Sequence, residues 1–378
     1  MYLKKITSVV LNNFKNDSRV LKENISLKKA GYDVQVVALH EEPLQEYDEI
    51  QNIPVHRVKL KSRGWSKHKL VQVLKYFEFI YRVVKHYKNS DIFHCNDLNT
   101  LPIGVLIKKF FNRDARIVYD AHEYEINDTP NESKYKIKIK YFFEKFLIKY
   151  ADKVITVSDS IANEYSKMYN IEKPALVLNT PPYKIIEKKD IFRETLGIQE
   201  SQTIFLYQGG LSKGRGIEIL LEAFKSMNHE NAVIVFMGYG QLENLIIEES
   251  KEYKNIYFYK AVSPDVLLDY TSSADFGILF YENSCLNHYY CSPNKMFEYL
   301  MAEIPVIVSN LYEMKRLVES NKIGIVAKEN NPDALKVAIE EAAKLDKDEL
   351  KTNIQKLKTI YNWEQQEKVL LEVYKGLI

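Results

Sequence analysis

TIFLYQGGLSKGRGIEILLEAF, residues 203–224, is a β-branched and aromatic run, two adjacent glycines, a turn with Lys213 and Arg215, and then a helical pattern. A strand that ends on Gly209 and Gly210 lets the backbone come close to a ligand, and the two cations suit a diphosphate. A tight structural turn explains such a segment equally well when it stands alone.

It does not stand alone. MGYGQLENL (237–245) follows the apolar run AVIVFM and places Gly238 and Gly240 at the turn. SPNKMFEYLMAEIPVIVS (292–309) comes after DFGILF. There Ser292 is a good N-cap and Pro293 suits the first helical position. Such a start turns backbone N–H groups and the positive end of the helix dipole outward, toward an anion. Lys295 adds a full charge, and Glu298 is spaced to return to the same side. An ordinary capped helix between two core strands is the other possibility. Three such turns at successive strand ends point to a shared phosphate-and-nucleotide site, because the cleft at a topological switch point gathers those ends.

The same rhythm runs through the whole chain. Strands are expected at 6–11, 34–39, 55–58, 91–95, 116–120 and 153–157, and again at 203–208, 232–237, 255–259, 275–280, 304–309 and 323–327. Helical patterns lie between them, among them SRVLKENISLKKAG with Gly31 as its stop. Apolar strands alternating with helices imply parallel sheets covered on both faces, so the fold class is α/β with two Rossmann-like domains. Pro181-Pro182 marks the join. The expected ranges are 1–178, 179–360 and a terminal amphipathic helix within 361–378.

A chain of 378 residues suffices for two or three substantial cores. No signal peptide and no long apolar run is seen, so a cytoplasmic protein is expected. Cys95, Cys285 and Cys291 are too few and too scattered for a disulfide framework. The net charge of +2 is unevenly spread. Residues 1–175 carry 30 basic and 22 acidic side chains, net +8, and the remainder 23 and 29, net −6. A basic first half suits an anionic partner, or is simply a Lys-rich solvated surface.

In order, GGLSKGRG, MGYGQLENL and SPNKMFEYLMAEIPVIVS resemble the donor half of the family 4 glycosyltransferases, which have the GT-B fold. NDSRVLKENISLKKAGYDVQVVAL, DIFHCNDLNTLPIG and VYDAHEYE resemble the acceptor-side half. SSADFGILF and YNWEQQEKVLLEVYKGLI match later landmarks, and the resemblance covers almost the whole chain. It implies two Rossmann-like domains with their sheets facing across a cleft and a terminal helix that crosses back to the first domain. It further implies that Arg215 grips the donor diphosphate and that Glu298, the second Glu of a Glu-x7-Glu motif, accepts hydrogen bonds from the ribose. Asn294, Lys295 and nearby amides would hold the distal phosphate, and the turn from Lys260 to Val262 would frame the base. His122 matches a histidine that reaches toward the donor sugar, and Asp17 and Arg19 lie where acceptor or donor is touched. A helix-capping salt bridge explains those last two equally well.

The chain departs from the family at three points. Tyr290 stands where the first motif Glu belongs, with Glu282, Asn287 or His288 as possible substitutes. Gly210 replaces a basic residue, for which Lys213 or Lys295 would compensate. Glu303 occupies the usual Gly after the helix, so that turn must be built differently or strained.

The resemblance implies a retaining glycosyltransferase that uses a nucleotide-activated sugar, with UDP favoured. The acceptor would be a glycan, lipid-linked saccharide or glycoprotein in bacterial surface glycan synthesis. No carboxylate cluster suits a metal, Asp346 and Asp348 lying in a charged helix, so neither metal nor other cofactor is expected. A nucleotide-sugar 2-epimerase and a non-catalytic subunit of the same fold are the alternatives. No recognised module supports nucleic-acid binding. SKYKIKIKYFFEKFLIKY (133–150) would lie on an anionic bilayer with Tyr141, Phe142, Phe143 and Phe146 inward, giving a peripheral contact at the inner membrane face. Otherwise its aromatic side packs on the sheet and its lysines face solvent.

Overall fold

The structure is a computed structural model that describes residues 3–227 and 231–377. Residues 1, 2 and 378, the outer ends of the expected domain ranges, lie outside the described residues. The chain divides into two compact units. The first comprises residues 1–126, 132–177 and 367–378, and the second residues 127–131 and 178–366.

The first unit is an eight-stranded sheet in the order β3-β4-β2-β1-β5-β6-β7-β8. Its strands are β1 (Lys5–Val9), β2 (Asp33–Leu39), β3 (Tyr47–Ile50), β4 (Ile53–Val58), β5 (Ile92–Asn96), β6 (Arg116–Ala121), β7 (Lys153–Thr156) and β8 (Ala175–Leu176). All neighbours are parallel except β3 and β4. That antiparallel edge departs from the expected all-parallel sheet. It is closed by Gln51 and Asn52, both at positive φ (49° and 65°), the backbone a two-residue primed turn demands.

Four helices of this unit matter below: α1 (Ser18–Lys29), α2 (Lys69–Tyr87), α3 (Leu101–Phe110) and α4 (Lys134–Ile148). Asp17 caps α1 by accepting from the Val20 N–H. Gly31, at φ +92°, lets the chain turn away after that helix. At the other end of the sequence, the Tyr374 hydroxyl bonds His94 Nδ1 on β5 at 2.6 Å, fixing residues 367–378 in this unit.

The second unit is an all-parallel six-stranded sheet in the order β11-β10-β9-β12-β13-β14. Its strands are β9 (Thr203–Gly210), β10 (Ala232–Tyr239), β11 (Ile256–Lys260), β12 (Phe276–Leu279), β13 (Val306–Val308) and β14 (Gly324–Val326). Strands β9, β10, β12 and β13 are almost wholly buried, as a sheet with helices on both faces requires, whereas the edge strand β11 is mostly half-buried. Apolar clusters line both of its faces, one around Leu206, Val233 and Phe297 and one around Phe205, Ile234 and Phe224. Succession runs outward from β9 to β10 and β11 on one side, then resumes at β12 on the other. The switch point therefore lies between β9 and β12, where a crevice opens beyond the strand ends.

Candidate donor site

The register of β9 and β10 pairs Gly209 with Gly238 and Gly210 with Tyr239, so both glycine turns leave the sheet at one level. A Cβ on Gly238 would sit 1.9 Å from the Gly209 carbonyl oxygen, so only glycine fits there. Gly209, at φ +108°, packs against a side chain instead, because its Cβ would meet Lys295 Cε at 2.9 Å. Gly216, at φ +74°, starts the next helix hard against the Phe280 carbonyl.

Lys295 comes from the helix Asn294–Met301. That helix starts later than expected: Pro293 occupies the N-cap with extended backbone, and Ser292 lies one residue outside it and is buried. Proline has no side-chain acceptor to cap the helix; the Met296 N–H bonds the Pro293 carbonyl at 2.9 Å, and the amides before it are left to other acceptors. The helix is fixed on the sheet by Tyr299. Its hydroxyl donates to the Leu206 carbonyl (2.9 Å) and accepts from the Gln208 N–H (3.2 Å). Gly277 makes room for that ring, since a Cβ there would fall 2.4 Å from it.

With the helix so placed, Lys295 is 9% exposed and its ammonium has no hydrogen-bond partner among the described residues. It sits 4.0 Å from the centre of the Tyr207 ring and 5.6 Å from that of Tyr281. Arg215 reaches the same tyrosine from the glycine turn, its guanidinium carbon 4.8 Å from the ring centre and one nitrogen bonded to the hydroxyl. Burial, and then Arg215, push the Lys295 ammonium down to about 7. Two cations on one face with too little counter-charge form a site short of an anion.

Glu298 lies one turn further along that helix and accepts from Gln208 Nε2 at 2.5 Å. Gln208 in turn accepts from Thr271 Oγ1 at 2.8 Å, which fixes the amide orientation. The structure thus brings Gly209, Gly238, Arg215, Lys295 and Glu298 to the switch point. Lys213, Lys260 and Asn294 are exposed beside it, Val262 packs on the apolar core, and Gly240 at φ +153° lies against the Leu211 carbonyl.

Tyr290, where the motif Glu was expected, stacks edge-on with Tyr289 and Tyr312. His288 is buried, with Nδ1 near the Glu282 carbonyl (2.9 Å) and the Ser284 hydroxyl (3.2 Å). Its ring stands edge-on to Tyr281 at 5.2 Å and against Gly214. Of the three substitutes named above, its ring is the one that meets the ring of the tyrosine holding Arg215. Tyr207, Gln208 and Tyr281 were missed in the sequence. The only sign of them was their place at the last residues of β9 and just after β12.

The first unit holds a separate buried cluster. Arg19, expected where acceptor or donor is touched, lies in it. Its guanidinium is 4% exposed, contacts Asp120 through Nε and Nη2 at 2.8–3.1 Å, and pairs with Glu23 at 3.1 Å. Asp17 is the cap of α1, so the salt-bridging and capping alternative describes both residues. His122 lies between Asp120 (3.2 Å) and Asp97 (3.4 Å). Burial lowers its pKa, but the two carboxylates outweigh that and raise it to about 9, so the imidazolium is the resident form. Among the described residues, Glu23, His94 and Asp120 are the one grouping close enough to hold a metal ion, and Arg19 supplies a fixed positive charge to two of them.

Comparison with known proteins places the chain in a family. Residues 188–358 match the model of glycosyl transferases group 1, and residues 25–180 match that of glycosyltransferase family 4. The two matches together span most of the chain, which belongs to the group 1 and family 4 glycosyltransferases and is a glycosyltransferase enzyme with the GT-B fold. An uncharacterized glycosyltransferase of Methanocaldococcus jannaschii is 26% identical over 82% of this chain and 80% of its own length. The chitobiosyldiphosphodolichol beta-mannosyltransferase of Candida albicans is 21% identical over 89% and 79%. Among solved structures, sucrose-phosphate synthase from Thermosynechococcus elongatus has a TM-score of 0.82 at 16% identity, covering 99% of each chain. Anabaena HepE, solved with UDP and glucose, has a TM-score of 0.75 at 14% identity, covering 99% of this chain and 100% of its own.

Proposed function

We propose that the second unit binds a nucleoside diphosphate sugar, with a UDP-sugar favoured, and that the enzyme passes the sugar to a glycan, lipid-linked or glycoprotein acceptor in bacterial surface glycan synthesis. The observation that carries this is the pair Arg215 and Lys295, converging on Tyr281 with the buried ammonium unbonded. HepE, held with UDP and glucose, supports the choice of base. The diphosphate would accept from Arg215, Lys295 and the amides that open the Asn294–Met301 helix, while Glu298, steadied by Gln208, would accept from the ribose hydroxyls.

Transfer breaks the bond between the anomeric carbon and the diphosphate oxygen, and the electron pair stays on the diphosphate. Arg215 and Lys295 meet that charge in place, where removal of one such group typically slows a reaction about 100- to 1000-fold. The acceptor hydroxyl forms the new bond on the face the diphosphate leaves, and its proton passes to a departing phosphate oxygen. Configuration is thereby retained without a protein nucleophile, and these fixed cations fill the role a metal would otherwise fill. His288 would stand in for the missing motif carboxylate near the sugar.

Thermal shift with a panel of UDP-, GDP- and ADP-sugars tests the donor site. At least one should stabilise the protein, by roughly 2.7 kcal/mol at about 100 times its dissociation constant. The shift should vanish in Arg215→Ala and in Glu298→Ala. No shift across the panel rejects the donor site. Turnover of the sugar without any acceptor would identify an epimerase instead.

A further inference from the structure

The first unit carries an apolar surface that none of its described residues covers. On α4, Tyr135, Ile139, Phe142 and Phe146 are 51–74% exposed. At 100° per residue these positions fall within about 60° of arc, one straight stripe. On α2, Leu70, Leu74, Phe77 and Tyr81 repeat the same spacing and are 55–70% exposed. Both helices bury a different face, α2 through Phe79, Ile80, Val83 and Val84, and α4 through Glu144, Leu147 and Ile148. The aromatic side of α4 therefore does not pack on the sheet. Only Tyr141 turns inward, to stack on Tyr169 at 5.9 Å.

The two stripes belong to one surface. α3 packs against both α2 and α4, and its end adds exposed Phe110 and Phe111. Lys88, just after α2, lies 5.5 Å from the Phe111 ring, and Lys109 lies 6.0 Å from Phe110 and 5.8 Å from Phe146. Two four-residue stripes and their aromatic bridge exceed the few hundred Å2 that soluble surfaces usually leave uncovered.

Its charge names the occupant. Lys138, Lys145 and Lys149 flank the α4 stripe on one side and Lys136 on the other, all exposed. The acidic residue within α4 is Glu144, buried and held by the hydroxyls of Tyr119, Tyr165 and Tyr169 at 2.5–2.8 Å. The one within α2 is Glu78, taken up by Arg82 and by the Lys61 and Ser62 amides. α3 has none. A rim of lysines around aromatic and aliphatic side chains, with every carboxylate in these helices withdrawn, fits lipid headgroups above acyl chains.

We propose that the surface formed by α2, α3 and α4 docks on an anionic lipid bilayer, the lysines at the phosphates and the two stripes in the acyl boundary. No helix among the described residues is long and apolar enough to cross a membrane, so the contact is one of lying on the surface. The surface is confined to the first unit and does not rest on the donor site, so either proposal can fail without the other.

Co-sedimentation of the full chain with vesicles tests it. Binding should occur to phosphatidylcholine vesicles containing phosphatidylglycerol, be weak to phosphatidylcholine alone, and fall with salt. Lys138→Gln with Lys145→Gln should weaken it about 25-fold, at roughly fivefold per lysine. Phe142→Ser with Phe146→Ser should abolish it while the melting temperature and the donor-induced shift persist. If the phenylalanine variant fails to fold, the lysine variant decides. No binding, equal binding to both vesicle types, or binding unchanged in the lysine variant overturns the proposal. So does a wild-type dimer that the phenylalanine variant converts to monomer, since the surface would then meet a second copy of this chain.

Discussion

The ammonium of Lys295 lies 4.0 Å from the centre of the Tyr207 ring, buried and without a hydrogen bond. The ring face offsets part of its desolvation, but a cation–π contact is worth only about 2 kcal/mol when buried. Hence the fall to about 7. A diphosphate would return the missing charge and with it the proton. Above pH 7, donor binding should therefore take up a proton, and affinity should drop by up to about tenfold per pH unit. Stability of the free protein should move the other way. The unfolded lysine holds its proton to about 10.4 and the folded one only to 7, so the unfolded state binds more protons and stability rises with pH between those values. Calorimetric titration with UDP in buffers of different ionisation heat checks the uptake. It should disappear in Lys295→Met, and a pH-independent affinity in the wild type would contradict it.

Gly209 and Gly238 are neighbours across β9 and β10 yet should respond differently to alanine. At Gly238 the new methyl meets backbone, which cannot yield, and a loss of about 1–3 kcal/mol or more is expected whatever else is changed. At Gly209 it meets the end of the Lys295 side chain, on top of the strain of φ +108°. Gly209→Ala should therefore cost less in a Lys295→Ala background than in the wild type, with coupling of at least about 0.5 kcal/mol in urea unfolding. Gly238→Ala should show no such coupling. Equal behaviour of the two glycines would show that the lysine does not pack as described.

These glycines were legible because apolar strands buried on both faces leave a clear rhythm, and each turn interrupts it. What the sequence concealed depended on partners far along the chain. Nothing near Arg19 announces Asp120, 101 residues away, and without that partner a lone arginine at a helix start suggests a ligand. The hairpin at Gln51-Asn52 was missed because the usual glycine is absent from the turn. Ser292 reads as the cap in the sequence because its side chain suits one, whereas the helix begins after Pro293. The exposure of Phe142 and Phe146 was undecidable from periodicity alone, which is the same for a stripe facing a sheet and a stripe facing outward.

Glu303, at φ +61°, follows the helix Asn294–Met301 where glycine would be the relaxed choice. Relief of that backbone alone would favour Glu303→Gly by about 1 kcal/mol. The side chain does more. Its carboxylate meets Lys358 at 2.6 Å and Gln355 at 3.1 Å, and Lys358 is only 3% exposed. Removal of the acid would leave a buried cation without its counter-charge, a loss of about 3–5 kcal/mol when a buried pair is broken from one side. Since Glu303 is itself part-exposed, the low end applies, and Glu303→Gly should destabilise by about 2 kcal/mol net. Adding Lys358→Met should recover most of that loss, because the stranded charge is gone while the relaxed turn remains. Urea unfolding of the two variants measures both terms. A stabilised Glu303→Gly would mean that backbone strain, and not the ion pair, governs this turn.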